Sequence, residues 1–365
     1  MRCLFAIAIL ILAMSPRALL ATPSLVVDLD TGAVLHSEDA GHRWYPASTT
    51  KLMTALVTFE ALANNEIDLK TPVILSHQAM RQRWVKTSLK VGSAMSLEDA
   101  LYAVLVSSAN NVAVALAETV AGSEDAFVAR MNAAAERLGL TASHFTNPNG
   151  LFDRKQTVSA RDLALLSIEL YQKYPQYHAI YTTAAVQIDG QDLKSYNNLL
   201  TRFPGTLGLK TGFVCPAGRN IAAVAERDGR RILTVVLGAT TGRERSERTA
   251  KLFTEAFDGT LVSKGTVLKD LANTPDTPPE DMRLRLCSDQ TAVYEAKQDK
   301  LYPWGLPGKK SYLADPVPAR RHTIKTWFVP QPEFVPKPRA KPDRMLVTSA
   351  WSKVSPPPKP NLKLN

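Results

Sequence analysis

Proline placement constrains this chain most, because 16 of its 24 prolines fall within residues 271–365. The proline ring fixes φ and removes the amide hydrogen, which bars it from helix interiors and central strands. Runs such as Val335-Pro336-Lys337-Pro338-Arg339 and Ser355-Pro356-Pro357-Pro358-Lys359-Pro360 therefore read as extended. Any large regular fold has to precede them. Charge is just as uneven: the same stretch holds 16 Lys/Arg against 9 Asp/Glu, a balance of +7 out of a formal +10 for all 365 residues. Residues 22–270 hold 26 Lys/Arg and 25 Asp/Glu, a nearly neutral segment long enough to bury a substantial core. No nucleic acid partner is expected of such a segment.

At the other end, Arg2 precedes the apolar run Cys3–Met14, and small residues follow around Ala18 and Ala21. That order reads as a secretory signal peptide over residues 1–21, with an uncleaved N-terminal anchor as the alternative. The run is shorter than the roughly 20 residues a membrane-spanning helix needs. Beyond Cys3, only Cys215 and Cys287 remain, and in an oxidising compartment they either bridge or stay as thiols. With no CxxC and no HExxH, neither a metal nor a cofactor is expected.

Between these ends the hydrophobic period changes twice. Ser24–Asp28 and Ala33–His36 are short β-prone runs around the turn-forming Leu29-Asp30-Thr31-Gly32. From Ser48 to about Tyr171 the pattern is helical, with start signals at Ser96, Ser123 and Ser159 and a stop at Gly139. Asn220–Glu226 and Arg231–Ala239 then form a hairpin pattern around Arg227-Asp228-Gly229-Arg230, and a last helix is predicted from Gly242 to Phe257. The expected fold class is α+β, an antiparallel sheet built from both ends of the segment and flanked by helices, with a mainly helical subdomain. Residues 22–262 form the expected main domain, and 263–365 a basic, proline-rich extension, partly disordered or a small docked module. Within it, Thr291–Tyr294 and His322–Val329 are β-prone, and Trp304, Trp327 and Trp351 hint at docking.

Chemistry is suggested at three places. Serine acyl transfer needs a nucleophile, a base and donors for an oxyanion. Ser48-Thr49-Thr50-Lys51 puts a hydroxyl and an amine on one face if it opens a helix. A lysine with an ordinary pKa near 10.4 would be protonated at neutral pH, so a base at Lys51 requires burial and a second cation. Ser108-Ala109-Asn110 falls between two helical stretches, where a turn can aim a hydroxyl and an amide at a cleft. Lys210-Thr211-Gly212 opens a strand, with a glycine that lets another backbone approach.

Ser-x-x-Lys, Ser-x-Asn and Lys-Thr-Gly in this order form the signature of penicillin-binding proteins and serine β-lactamases. The chain from about Ser24 to Phe257 resembles the low-molecular-mass penicillin-binding proteins, the serine-type D-alanyl-D-alanine carboxypeptidases. The likeness includes Tyr45-Pro46-Ala47-Ser48-Thr49-Thr50-Lys51-Leu52-Met53-Thr54, His144-Phe145-Thr146-Asn147-Pro148-Asn149-Gly150-Leu151 and Gly208-Leu209-Lys210-Thr211-Gly212. It departs from the family at Asn111, Tyr196, Leu207 and Phe213, where Asp, Arg, Asp and His are usual.

The resemblance implies that Ser48 attacks the carbonyl of the penultimate D-alanine, Lys51 takes its proton, and Ser108 relays it to the leaving amine. It implies that Asn110 holds the acyl-side amide and orients Lys51, and that Lys210 is the second cation. The backbone amides of Ser48 and Phe213 would form the oxyanion hole, beside Gly212, with Thr211 and Arg243 on the terminal carboxylate. The expected partners are peptidoglycan stem peptides ending in D-Ala-D-Ala, with β-lactams as covalent inhibitors. The basic tail would meet a membrane surface or an anionic wall polymer, and the enzyme would be secreted, periplasmic, or peripheral on the outer face of the inner membrane. Alternatives on the same scaffold are a DD-endopeptidase or a β-lactamase. A non-catalytic wall-binding protein is the alternative of a different kind.

Overall fold

The inner strands of the central sheet, Ser24–Asp28, Gly218–Arg227 and Arg230–Ala239, are largely buried on both faces, and this makes the sheet a middle layer. In the computed structural model, which describes residues 22–82, 87–287 and 310–330 with positions 293, 296, 297 and 300, eleven strands are formed. They are β1 (Ser24–Asp28), β2 (Val34–Glu38), β3 (Pro72–Ile74), β4 (Ser93–Ser96), β5 (Thr183–Ile188), β6 (Gln191–Lys194), β7 (Thr206–Val214), β8 (Gly218–Arg227), β9 (Arg230–Ala239), β10 (Arg320–Ile324) and β11 (Thr326–Phe328). The central sheet has the order β2-β1-β9-β8-β7, antiparallel throughout. Alternate residues face opposite layers, as the two-residue period demands. Ile221, Ala223, Ile232 and Val236 pack with Phe253 of the Gly242–Phe257 helix, whereas Ala222, Val224, Leu233 and Val235 join the larger helical core on the other side.

The expected α+β sheet flanked by helices is what forms. Both hairpins are present, β1–β2 and β8–β9, the second turning through Asp228 and Gly229 at φ 52° and 78°, which Gly229 adopts without penalty. The three serine start signals are N-caps: Ser96, Ser123 and Ser159 each accept from the amide three residues on, at 3.1, 3.1 and 3.0 Å. Each such cap stabilises its helix by about 1 kcal/mol. The helical stretch is not continuous, because β3 and β4 interrupt it and form a small sheet of their own.

The chain beyond residue 262 returns to the domain. A disulfide joins Cys215 to Cys287, deciding the alternative that the sequence left open. β10 pairs in parallel with β5, and β11 pairs antiparallel with β4, so residues 320–328 lie in two small sheets at once. The His322 ring stacks on Tyr102 at 3.6 Å and reaches Asp99 at 2.6 Å. The expected 1–21 leader, the proline runs after 331, Trp304, Trp351 and, apart from Val293, the Thr291–Tyr294 run lie outside the described residues. Among the described residues no helix is long and apolar enough to cross a membrane.

Candidate active site

The site begins with a strained residue. Buried Ala47 takes φ 49°, a left-handed conformation that costs a non-glycine residue on the order of 1–3 kcal/mol. It turns the chain into the short 3-10 segment Ala47–Thr50, which runs directly into the Lys51–Ala63 helix. Ser48 and Lys51 therefore share one face, and Lys51 Nζ stands 3.0 Å from Ser48 Oγ. Nζ also donates to Asn110 Oδ1 at 2.7 Å and to the carbonyl of Asn149. Burial, joined by the nearby Lys210 charge, holds the Lys51 amine well below the usual lysine range.

Ser108 sits at φ 63° between the Leu97–Leu105 and Asn110–Ala121 helices, and this left-handed kink swings its hydroxyl toward β7. There Lys210 Nζ donates to Ser108 Oγ at 3.1 Å and to the Thr211 carbonyl at 2.9 Å. Lys210 is buried, and desolvation with the neighbouring Arg245 charge lowers its pKa to about 7. The five residues expected to be catalytic form two bonded groups, Ser48 and Asn110 on Lys51 and Ser108 on Lys210, with the Lys210 charge acting on Lys51 across the gap.

Close backbone packing fixes the nucleophile. A Cβ on Gly212 would lie 2.8 Å from the Ser48 amide nitrogen, and one on Gly150 would lie 2.0 Å from the Ala47 carbonyl oxygen. Glycine at both positions is thus a condition for β7 and the 149–151 turn to clasp the nucleophile segment. Buried Asn220 adds a tether that sequence reasoning missed. Its Nδ2 donates to the carbonyls of Tyr45 and Pro46 at 2.8 and 3.0 Å, while its Oδ1 accepts from Gly238 at 2.9 Å. An asparagine directly before the apolar run Ile221–Ala225 was the available signal. Asn149, whose carbonyl holds Lys51, offered none.

Ser48, Ser108, Asn110, Thr211, Gly212 and Phe213 line one cleft of about 670 Å³. A family profile described as D-alanyl-D-alanine carboxypeptidase matches residues 12–241, more than half of the chain. The chain belongs to the D-alanyl-D-alanine carboxypeptidase family. Similar proteins include the D-alanyl-D-alanine carboxypeptidase DacF of Bacillus subtilis, 33% identical over 241 residues that make up 65% of this chain and 62% of the relative. DacC of Escherichia coli is 34% identical over 64% of this chain and 60% of its own. The chain thus spans about three fifths of the length of these curated relatives. Penicillin-binding protein 5 of Haemophilus influenzae superposes with a TM-score of 0.62 at 30% identity, covering 67% of this chain and 72% of the other. Penicillin-binding protein D2 of Listeria monocytogenes, solved in a cefotaxime-bound form, gives 0.58 at 31% identity, covering 67% and 100%.

In this D-alanyl-D-alanine carboxypeptidase family member, Arg243 and Arg245 line adjoining pockets. Arg243 lines a smaller pocket that shares Asn198 and Gly242 with the cleft, while Arg219 and Arg245 line the cleft itself. Two residues along a helix turn the side chain through about 200°, so only one of the pair can face inward. Arg245 is buried, its Nη2 donates to the Tyr196 carbonyl at 2.5 Å, and burial beside Arg219 lowers its pKa to about 10. Phe213 is 41% exposed, with the Arg219 guanidinium 4.4 Å from its ring centre. Among the described residues no cluster of His, Cys, Asp or Glu could hold a metal ion.

Proposed function

We propose that the protein is a serine DD-carboxypeptidase that removes the terminal D-alanine from peptidoglycan stem peptides and is acylated by β-lactams at Ser48. The observation that carries this is the bonding of Lys51 Nζ to Ser48 Oγ, Asn110 Oδ1 and the Asn149 carbonyl. A neutral amine has two hydrogens and one lone pair. With Asn110 Oδ1 and the Asn149 carbonyl taking the hydrogens, the lone pair faces the Ser48 hydroxyl. An ordinary lysine would be neutral roughly once in three thousand molecules at pH 7. Burial and the Lys210 charge supply the missing fraction.

Ser48 Oγ attacks the carbonyl carbon of the penultimate D-alanine as its proton passes to Lys51. The backbone amides of Ser48 and Phe213, brought close by Gly212, receive the oxyanion. The carbon–nitrogen bond breaks as Ser108 relays the proton from Lys51 to the departing amine, which leaves an ester on Ser48, with Lys51 neutral again. Water then cleaves the ester with Lys51 as base. Thr211, Lys210 and Arg245 hold the terminal carboxylate, a requirement that selects substrates ending in a free acid.

Location belongs to the same proposal. The leader-like residues 2–14 support export to the periplasm, and residues 331–365, with seven Lys/Arg against two Asp/Glu, suit an anionic membrane surface or wall polymer. Release of free D-alanine from a pentapeptide ending in D-Ala-D-Ala tests the activity. Wild type should release it and bind fluorescent penicillin, and Ser48→Ala should lose both by about 10⁴-fold or more. Cleavage of cross-links without D-alanine release would instead make the protein an endopeptidase.

A further inference from the structure

We propose that the trough beyond Phe213, walled by the disulfide-held segment 282–287, is a subsite for a carboxylate-bearing side chain on the acyl part of the substrate. This rests on the DD-carboxypeptidase reading and extends it to the residue that precedes the D-alanine pair. The trough has a volume of about 620 Å³ and shares Phe213 with the catalytic cleft. Leu151, Phe152 and the Cys215–Cys287 bridge make it apolar, and Arg154 and Arg283 bring two positive charges to it.

Direction along β7 decides what the trough can receive. Lys210 and Thr211, with Arg245 beside them, precede Gly212, whose backbone abuts Ser48. A terminal carboxylate at that cationic end leaves the acyl chain only the opposite way, past Phe213 toward Val214 and Cys215. At about 3.3 Å per residue, the strand from Gly212 to Cys215 runs roughly 10 Å, enough for one or two extended substrate residues. One wall they meet comes from this chain's tail. Arg283 and Cys287 lie beyond residue 241, where the family match ends.

Arg283 is poised for an acid. Its guanidinium lies 5.1 Å from the ring centre of Phe152, which sets its plane, and Asp281 pairs with Nη2 at 3.4 Å with both side chains well exposed. An exposed pair of this length is weak, so a substrate carboxylate can replace it. The fitting ligand is an aliphatic side chain ending in a carboxylate, as in a diamino dicarboxylic acid. The methylenes would lie on the apolar floor and the acid would meet Arg283 and Arg154.

The test compares two pentapeptides ending in D-Ala-D-Ala, identical except that the side-chain acid of the preceding 2,6-diaminoheptanedioic residue is free or amidated. Wild type should favour the free acid about tenfold in kcat/KM, through KM, and Arg283→Ala should bring that ratio near one. Arg283→Lys should restore part of it. A wild-type ratio near one overturns the subsite whatever the variants do, and so does a ratio that survives in folded Arg283→Ala. Failure of wild type to release D-alanine from either peptide sinks the underlying activity instead, and the subsite with it.

Discussion

Three segments far away in sequence, around Ser108–Asn110, Asn149 and Lys210, converge on the one that carries Ser48, and the buried amines of Lys51 and Lys210 tie them together. The tail is attached by different means: a covalent bond at Cys287, strand pairing at β10 and β11, and a few ring and carboxylate contacts near His322. The cleft buries Lys51 and Lys210 where charge is costly, and this is what prepares an amine to act as a base. The tail leaves Trp327 and Phe328 exposed and attaches to strands whose edges would otherwise be open. Electrostatic work thus demands a dry interior, while a strap needs only backbone edges and an anchor.

That contrast can be broken from the tail side first. Replacing Cys215 and Cys287 with serine frees a loop of 72 positions, and loop-closure entropy puts the loss of stability at up to about 4 kcal/mol. The urea midpoint reads it, and an unchanged midpoint would mean that the strands hold the tail without the bond. A smaller loss, about 2–3 kcal/mol, is expected for Asn220→Ala, which strands the Tyr45 and Pro46 carbonyls and the Gly238 amide in the interior. Its kcat should also fall, because the tether sets the nucleophile segment. Loss of stability with kcat intact would show that Asn220 only supports the sheet.

The smallest effect per step is in pH. Lys51 must be neutral to accept the serine proton, so kcat/KM should rise with pH on the acid side as that depressed amine deprotonates. Lys210 must stay charged to face a carboxylate, so kcat/KM should fall above about pH 7, approaching tenfold per unit. The pair titrates jointly, and a bell-shaped profile is the signature. A profile flat from pH 6 to 9 would remove Lys210 from its role.

Much of the site was legible because its groups lie in short local patterns. The three-residue step from Ser48 to Lys51 needs only a helix turn, and the Asp228-Gly229 turn needs only positive φ. Which of Arg243 and Arg245 lines the cleft was not legible, because a two-residue choice on a helix is a choice of side, and the side is set by where the helix packs. The hold of Asn149 on Lys51 and the parallel pairing of β10 with β5 depend on partners many residues away, and no local pattern encodes them. The bridge between Cys215 and Cys287 stayed open for the same reason.

β1 has a further consequence for how the molecule is made. It lies between β2 and β9, pairing Ser24 with Val236 across most of the domain. Its hairpin partner leaves the ribosome within a few residues, but its other neighbour follows only after some two hundred more. Until then one edge of the earliest strand stands open to wrong pairings, the slow and aggregation-exposed condition of long-range sheets. Lys210 on β7 is also synthesised before β9, yet β7 can join the sheet around β1 only through β8 and β9. The nucleophile and its second cation are therefore brought together in the same late closure, and no shorter nascent chain can carry a finished site.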